Sequence, residues 1–431
     1  MHSILQCMDC GQQYPIDRII YVCESCGGLL DVCHDFEAVP VSRETFDARL
    51  GSQEKPYTSG VWRYKELVYP GIPDEKIITR PEGNTPLYHL PALGSWAGVQ
   101  TLYLKHEGEN PTGSFKDRGM TGGLTQANIL GVRRVACAST GNTSASLAAY
   151  AALGGFEGIV FFQNKQVALG KLAQAVAYGA TCIQVNADFD RNMELVREAA
   201  DRLGIYVLNS INPFRLEGQK TIIFETLQQL RWQVPDWIIC PGGNLGNSSA
   251  FGKALRELYD LGLIARLPRL AIIQAEGANP LYKSFRRGLN GLEPVHAETI
   301  ATAIKIGSPV NYTKAVRALR WTDGVVEQVS DQEIMDAKAL IDRRGIGCEP
   351  ASACSLAGTA KLVRQGIIRP HETVVGILTG HILKDPEATI HYHSRRLDGI
   401  EAHHPNALLS AEPSIEAISR ILQAPRGEPS S

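Results

Sequence analysis

Between residues 81 and 395, short apolar runs alternate with helix-length amphipathic stretches, and this alternation constrains the chain most. The strand candidates are Thr101–Lys105, Val135–Ala138, Gly158–Phe162, Thr181–Val185, Trp237–Cys240, Leu270–Gln274 and Val374–Leu378. Helical candidates lie between them at Asn142–Ala152, Leu169–Tyr178, Met193–Arg202, Leu216–Leu230 and Ser248–Leu261. Strands separated by helix-length segments build βαβ units and a mostly parallel sheet. The runs are nearly all apolar rather than alternating, as required when helices cover both faces of a sheet. The pattern predicts an α/β fold, and 431 residues suffice for about two to three domains.

Lys and Arg total 43 against 45 Asp and Glu, so a strongly basic nucleic-acid binder is excluded as the default. The longest apolar stretch, around Leu147–Leu153, is far short of the roughly 18 residues of a membrane span. The start, MHSILQCMDC, has neither a basic region nor an apolar one, so no signal peptide is expected. The expectation is a cytoplasmic protein in a reducing compartment, without nucleic-acid or membrane partners. Cys137, Cys182, Cys240, Cys348 and Cys354 lie among apolar or small residues and read as buried, inert thiols. Residues 36–80 are polar and broken by Pro40, Pro56, Pro70 and Pro73, which suits a wrapping or linking arm. A Pro-rich tail follows residue 395, with one short helix expected at Ile415–Leu422.

Residues 1–35 hold Cys7-x2-Cys10 and Cys23-x2-Cys26. Thiolates at this spacing reach one metal from a tight turn, and two such knuckles complete a tetrahedral zinc site. Gly11, Gly27 and Gly28 follow the second Cys of each pair, where a knuckle needs a positive φ. Four protein ligands leave no open position, so the site reads as structural. A ribbon that has lost its metal and merely packs its cysteines is the alternative. Arg18 is its only Lys or Arg, against Asp9, Asp17, Glu24, Asp31 and Asp35, and such a surface repels phosphate.

Five segments have the composition of a reactive site. In Glu109–Gly119, ENPTGSFKDRG, a Pro-Gly turn leads through Ser114, a good N-cap, into a helix whose first turn holds Lys116 and Asp117. An amine near a positive helix end is readily deprotonated, as a Schiff-base lysine requires. The stretch fails as an ATP-binding P-loop because Ser, not Lys, follows its glycine. Ala138–Ala145, ASTGNTSA, leaves a strand and opens a helix, where hydroxyls and backbone N–H groups suit an anion. Gly242–Asn247, GGNLGN, lies between a strand and a helix. It fits a single phosphate and does not match the GxGxxG dinucleotide pattern. Asn209–Lys220, NSINPFRLEGQK, sets Ser210 and Arg215 before a helix, able to face a second anion, although plain surface capping explains it too. Leu378–Pro386, LTGHILKDP, puts Thr379 at a strand end, where α/β ligand sites lie, and His381 reads as structural.

In this order, ENPTGSFKDRGM, ASTGNTSAS, NSINPFRLEGQKT, GGNLGN and LTGHILKDP closely resemble the threonine synthase family. That family belongs to the pyridoxal-phosphate (PLP) enzymes of the tryptophan-synthase β-like fold, fold type II. The resemblance spans roughly residues 81–390. It implies two domains with mostly parallel sheets, a large one over 81–124 and 216–395 and a small one over 125–215. A ribbon at 1–35, an arm at 36–80 and a tail at 396–431 would be appendages, and the family suggests a homodimer.

The resemblance also implies roles. Lys116 holds PLP as a Schiff base, and Asn142 bonds its phenolic oxygen. The backbone of Gly242, Gly243, Asn244, Leu245 and Gly246 cradles its phosphate, and Thr379 faces the pyridine nitrogen. A hydroxyl there cannot keep that nitrogen protonated as a carboxylate would. Ser139, Thr140 and Thr143 bind the substrate carboxylate or phosphate, and Ser210, Arg215 and Asn247 resemble substrate-phosphate contacts. The implied reaction turns O-phospho-L-homoserine and water into L-threonine and phosphate by γ-elimination and β-hydration. Lys116 moves protons at Cα and Cβ, and the phosphate released assists the last transfer. A cysteate synthase and a Ser/Thr dehydratase of the same fold are alternatives. A zinc-ribbon binding protein on an inactive scaffold is a third, opposed by the intact Lys116.

Overall fold

The computed structural model describes residues 2–37, 39–163, 169–185, 198–200, 202–406 and 408–423. A six-stranded sheet runs in the order Val325–Val329, Arg269–Ala275, Trp237–Pro241, Thr373–Leu378, Thr101–His106 and Leu87–His89. All neighbours are parallel except Leu87–His89, which pairs antiparallel with Thr101–His106. Alternate residues of the inner strands feed opposite cores. Ile238, Cys240 and Ile272 pack with Phe251, Leu255 and Ile223, whereas Trp237, Ile239 and Ile273 pack with Ala353, Ala357 and Leu356. Helices Pro213–Gln229 and Gly246–Asp260 thus cover one face and helix Pro350–Arg364 the other.

A four-stranded, fully parallel sheet runs in the order Thr181–Val185, Glu157–Gln163, Arg134–Ala138 and Ile205–Val207. Helices Lys116–Ile129 and Asn142–Gly154 pack on it through Met120, Leu124, Leu147 and Tyr150. Three strands lie outside the sequence expectation. Val325–Val329 and Leu87–His89 are edge strands of the larger sheet, where polar residues are tolerated. Ile205–Val207 is only three residues long, too short to register as a run. The expected helix Leu169–Tyr178 is found at Leu169–Ala177, and the expected helix Met193–Arg202 falls largely outside the described residues.

The N-terminal segment is a three-stranded antiparallel sheet in the order Gln13–Pro15, Ser3–Cys7, Leu30–His34. Gly11 and Gly27 have φ of 74° and 75°, as a knuckle requires. Gly28 is not among the positive-φ glycines, which corrects the reading of its role. A Cβ at Gly28 would lie 3.0 Å from Cys7 Sγ, so a close approach to the thiol demands glycine there. Residues 36–80 do more than link: Phe46, Val61, Trp62, Tyr64, Leu67 and Tyr69 are buried in the same core as the larger sheet. The short tail helix spans Ile415–Gln423.

Candidate active site

Backbone pairing brings distant motifs together. Phe115 N–H donates to Thr379 O at 3.0 Å, and His381 N–H donates to Gly113 O at 3.0 Å. Ser114 bridges Gly380 as an isolated antiparallel pair, and its Oγ accepts from Lys116 N–H at 3.4 Å, the capping contact expected at the start of the helix. Phe115, next in the chain, already has helical backbone angles (φ −56°, ψ −15°). Asp117 fixes the turn below. Its Oδ1 accepts from Thr112 Oγ1 and Ser146 Oγ, both at 2.6 Å, and its Oδ2 from Thr112 N–H at 2.6 Å.

Lys116 opens into a cavity of about 1260 Å³ that also meets Ser139, Thr140, Asn142, Thr143, Ser210, Arg215, Gly243, Asn244, Leu245, Gly246, Asn247 and Thr379. Gly242 is not part of that lining: a Cβ there would meet Ile272 Cγ2 at 2.7 Å, so it serves the packing of the loop on the sheet. Among the described residues, the Lys116 amine has no hydrogen-bond or ion-pair partner. Its Nζ lies 4.2 Å from the Phe115 ring centroid. Burial, and then the charge of Arg215, lower its pKa to about 7 against the opposing pull of Glu349. A neutral amine is therefore available near neutral pH, as Schiff-base chemistry needs.

The loop at residues 242–245 is shaped for an anion. Leu245 adopts left-handed backbone angles (φ 63°), and helix Gly246–Asp260 starts with no side-chain cap. A Cβ at Gly243 would lie 3.1 Å from Ile304 Cα and 3.4 Å from Ala303 O, which would narrow the cradle. Nearby, Arg215 is 2% exposed, and its Nη1 donates to Leu208 O at 2.9 Å. Among the described residues, Arg215 Nε, Gln219 Oε1 and Asn247 Oδ1 find no hydrogen-bond partner and are buried. Burial lowers the Arg215 guanidinium to about 10, so it is still charged at neutral pH, and among the described residues no carboxylate pairs with it. A buried, uncompensated cation beside unsatisfied polar atoms is costly unless a ligand anion meets it. The residues present fit a phosphate-bearing cofactor and a second anion.

The remaining expected residues are polar and close. Ser139 Oγ accepts from Gly141 N–H at 3.2 Å at the start of helix Asn142–Gly154. His381 Nδ1 accepts from Leu383 N–H at 3.2 Å, and its ring stacks 6.5 Å from His106. Sequence reasoning missed four residues. Glu349 accepts from Asn142 and Thr379, Gln219 lies within the Arg215 segment, and Lys384 bonds Gln174 Oε1. Asn311 Nδ2 donates to Ser210 O at 3.0 Å and Asn244 O at 3.3 Å, linking the two anion regions. Gln219 and Lys384 stood inside quoted motifs, whereas Glu349 and Asn311 stood in no motif.

The ribbon cysteines meet at their tips. Cys7 and Cys26 Sγ are 3.4 Å apart, Cys10 and Cys23 Sγ are 3.5 Å apart, and all four lie within 4.8 Å. Zinc bonds of about 2.3 Å in a tetrahedron would set sulfurs about 3.8 Å apart, so the cluster fits. Tyr14 hydroxyl, 3.2 Å from Cys23 Sγ, lowers that thiol to about 6 and favours the ligating thiolate.

Fold and cavity define a PLP-dependent enzyme of fold type II, and the pyridoxal-phosphate dependent enzyme family matches residues 78–380. Threonine synthase of Methanocaldococcus jannaschii is 52% identical over 387 residues, covering 89% of this chain and 94% of that protein. Threonine synthase 2, chloroplastic, of Arabidopsis thaliana is 41% identical over 425 residues, covering 96% and 82%. Among solved structures, threonine deaminase isoform 2 of Solanum lycopersicum aligns with TM-score 0.62 at 20% identity, over 72% of this chain and 88% of that one. The chain belongs to the threonine synthase family and is a PLP-dependent carbon–oxygen lyase.

Proposed function

We propose that the chain converts O-phospho-L-homoserine and water to L-threonine and phosphate, in threonine biosynthesis. The observation behind this reading is the pairing of two anion-ready regions around one neutral lysine. Bound PLP supplies the electron sink that lets bonds at Cα, Cβ and Cγ of the substrate break in turn. Lys116 holds it, Asn142 and Thr379 face its ring, and the loop Gly242–Gly246 receives its phosphate. Of these, Gly242 acts by seating the loop.

Ser139, Thr140 and Thr143 bind the substrate carboxylate at a helix N-terminus. Ser210, Arg215 and Asn247 grip the substrate phosphate, Arg215 by charge and the others by hydrogen bonds. The neutral Lys116 amine takes the Cα proton and then a Cβ proton. A proton returns at Cγ once the phosphate has left, and another at Cα once the hydroxyl of water has added at Cβ. Arg215 retains the departing phosphate beside the reacting carbons, where it helps water add at Cβ.

Zinc at Cys7, Cys10, Cys23 and Cys26 is structural in this reading. The large division (81–124 and 216–395) and the small one (125–215) close on the cofactor between them. Ten free cysteines support a reducing, cytoplasmic setting, and the enzyme works as a homodimer on a small-molecule substrate. The test is release of phosphate and threonine from O-phosphohomoserine, beside O-phosphoserine with sulfite and threonine alone. Threonine from phosphohomoserine, abolished by Lys116→Ala, is expected. Turnover of only a rival substrate would contradict the substrate and redirect attention to Ser210 and Arg215.

A further inference from the structure

Asn311 stands at the N-cap position of helix Tyr312–Trp321, yet its side chain makes no cap there. Asn is favoured at that position because its side chain can bond the first turn of the helix. Here the amide turns away and reaches two loops of the active site. Nδ2 donates to Ser210 O at 3.0 Å and to Asn244 O at 3.3 Å. Both partners are carbonyl oxygens, which only accept, so the NH₂ group must face them. Asn311 N–H makes a further bond to Asn244 O at 3.3 Å. Ser210 O has no other hydrogen-bond partner among the described residues. Asn311 is buried, and Ala315 N–H and Ser249 Oγ donate to its own carbonyl at 2.9 Å and 3.4 Å.

A trans peptide points its N–H opposite to its C=O. Holding Ser210 O and Asn244 O toward Asn311 therefore turns Ile211 N–H and Leu245 N–H away from it. Neither N–H has a hydrogen-bond partner among the described residues, and both residues line the cavity. Ser210 leads into helix Pro213–Gln229, which carries Arg215, and Asn244 leads into helix Gly246–Asp260, which carries Asn247. One amide thus ties the loop proposed for the substrate phosphate to the loop proposed for the cofactor phosphate. Its anchorage is close-packed: helix Tyr312–Trp321 lies against helix Gly246–Asp260 at Gly252, where a Cβ would collide with Ala318 Cβ.

We propose that Asn311 is a positioning residue that fixes the substrate-phosphate loop against the cofactor loop, holding the Ser210–Arg215 site at a set distance from the PLP phosphate. This rests on the function proposed for the cavity. The bond count makes the dependence unequal. Without the side-chain amide, Asn244 O still has Asn311 N–H, whereas Ser210 O loses its partner. A carbonyl left unpaired turns toward water or another donor, and the Ile211 peptide turns with it. Binding of the substrate phosphate therefore suffers more than binding of the cofactor.

Asn311→Leu tests this by removing the donor at similar volume. The PLP-loaded variant is compared with wild type by kcat and KM for O-phosphohomoserine and by calorimetric titration of the holoenzyme with inorganic phosphate. PLP affinity is read separately by equilibrium dialysis. The expected result is a KM and a phosphate Kd both raised at least about tenfold, with kcat and PLP affinity within about threefold. A KM and a phosphate Kd within about twofold of wild type overturn the proposal. A loss of PLP affinity as large as the loss of phosphate affinity also overturns it, because the whole site has then loosened. If Asn311→Leu does not fold, Asn311→Ser, whose shorter side chain cannot bridge both loops, carries the same test with the same limits. A wild-type chain that does not convert O-phosphohomoserine would contradict the proposed function itself, a distinct result.

Discussion

Arg215 is a buried cation whose Nε has no partner among the described residues, and burial lowers the Lys116 amine to a pKa of about 7. These two side chains set the predictions at the scale of the residue. Replacing Arg215 with Lys keeps charge and loses the planar fork. A charged hydrogen bond contributes about 1.5–3 kcal/mol, so KM for the phosphorylated substrate rises roughly 10- to 150-fold in steady-state assays. Only a neutral amine attacks an aldehyde. Because the Lys116 pKa is lowered, the apo chain should combine with PLP faster as pH rises through about 7, and stopped-flow absorbance checks this. A rate rising only near the ordinary lysine range, about 10.4, would contradict the assignment. Lys116, Asn142, Thr379 and Arg215 were legible because each stood in a string of turn, cap and strand-end signals. Glu349 was not, since its contacts with Asn142 and Thr379 span 207 and 30 residues of chain.

At the scale of the element, the loop between strand Trp237–Pro241 and helix Gly246–Asp260 is the part proposed to receive a phosphate. Gly243→Ala would bring a methyl against the backbone of Ala303 and Ile304, which cannot rotate away as a side chain can. The expected outcome is weaker PLP retention, read by equilibrium dialysis, with the thermal unfolding of the apo protein little changed. The inner strands were legible from their unbroken apolar runs. The pairing of Ser114 with Gly380 was not, because it joins two loops whose local sequence asks only for turns. That pairing is what carries Lys116 and Thr379 into one cavity.

At the scale of the whole molecule, the ribbon is docked rather than tethered. Asp31, expected at an acidic surface, is buried and pairs with Arg317 at 2.6 Å and Lys253 at 3.3 Å. His34 Nε2 meets Glu217 Oε2 at 2.8 Å, and burial lowers the imidazole to about 4, so it is neutral at pH 7. Lys253 and Glu217 lie on the two helices that begin at the anion regions. Removing one partner of a buried ion pair costs about 3–5 kcal/mol, so Asp31→Ala should lower the urea midpoint sharply. Asp9→Ala, at an exposed site, should stay within about 0.5 kcal/mol. The surrounding cations hold the Asp31 carboxyl well below its usual value. Its contribution is therefore full above the unfolded pKa of about 3.9 and declines as pH falls below it. Urea midpoints of wild type and Asp31→Asn should converge in that acid range. Stripping zinc should lower the melting temperature in calorimetry, since four converging thiolates contribute folding energy only with the metal. The paired CxxC spacing made this cluster legible, whereas its docking was hidden because lone Asp31 and His34 have no sequence period.

The most direct measurement is borohydride reduction of the PLP-loaded protein followed by peptide mass mapping. Reduction fixes the cofactor to the amine that holds it. The account predicts a pyridoxyl label on the peptide containing Lys116, in the cavity between Asn142 and Thr379. A label on another lysine, such as Lys384, or no label on a protein that retains PLP, would contradict it.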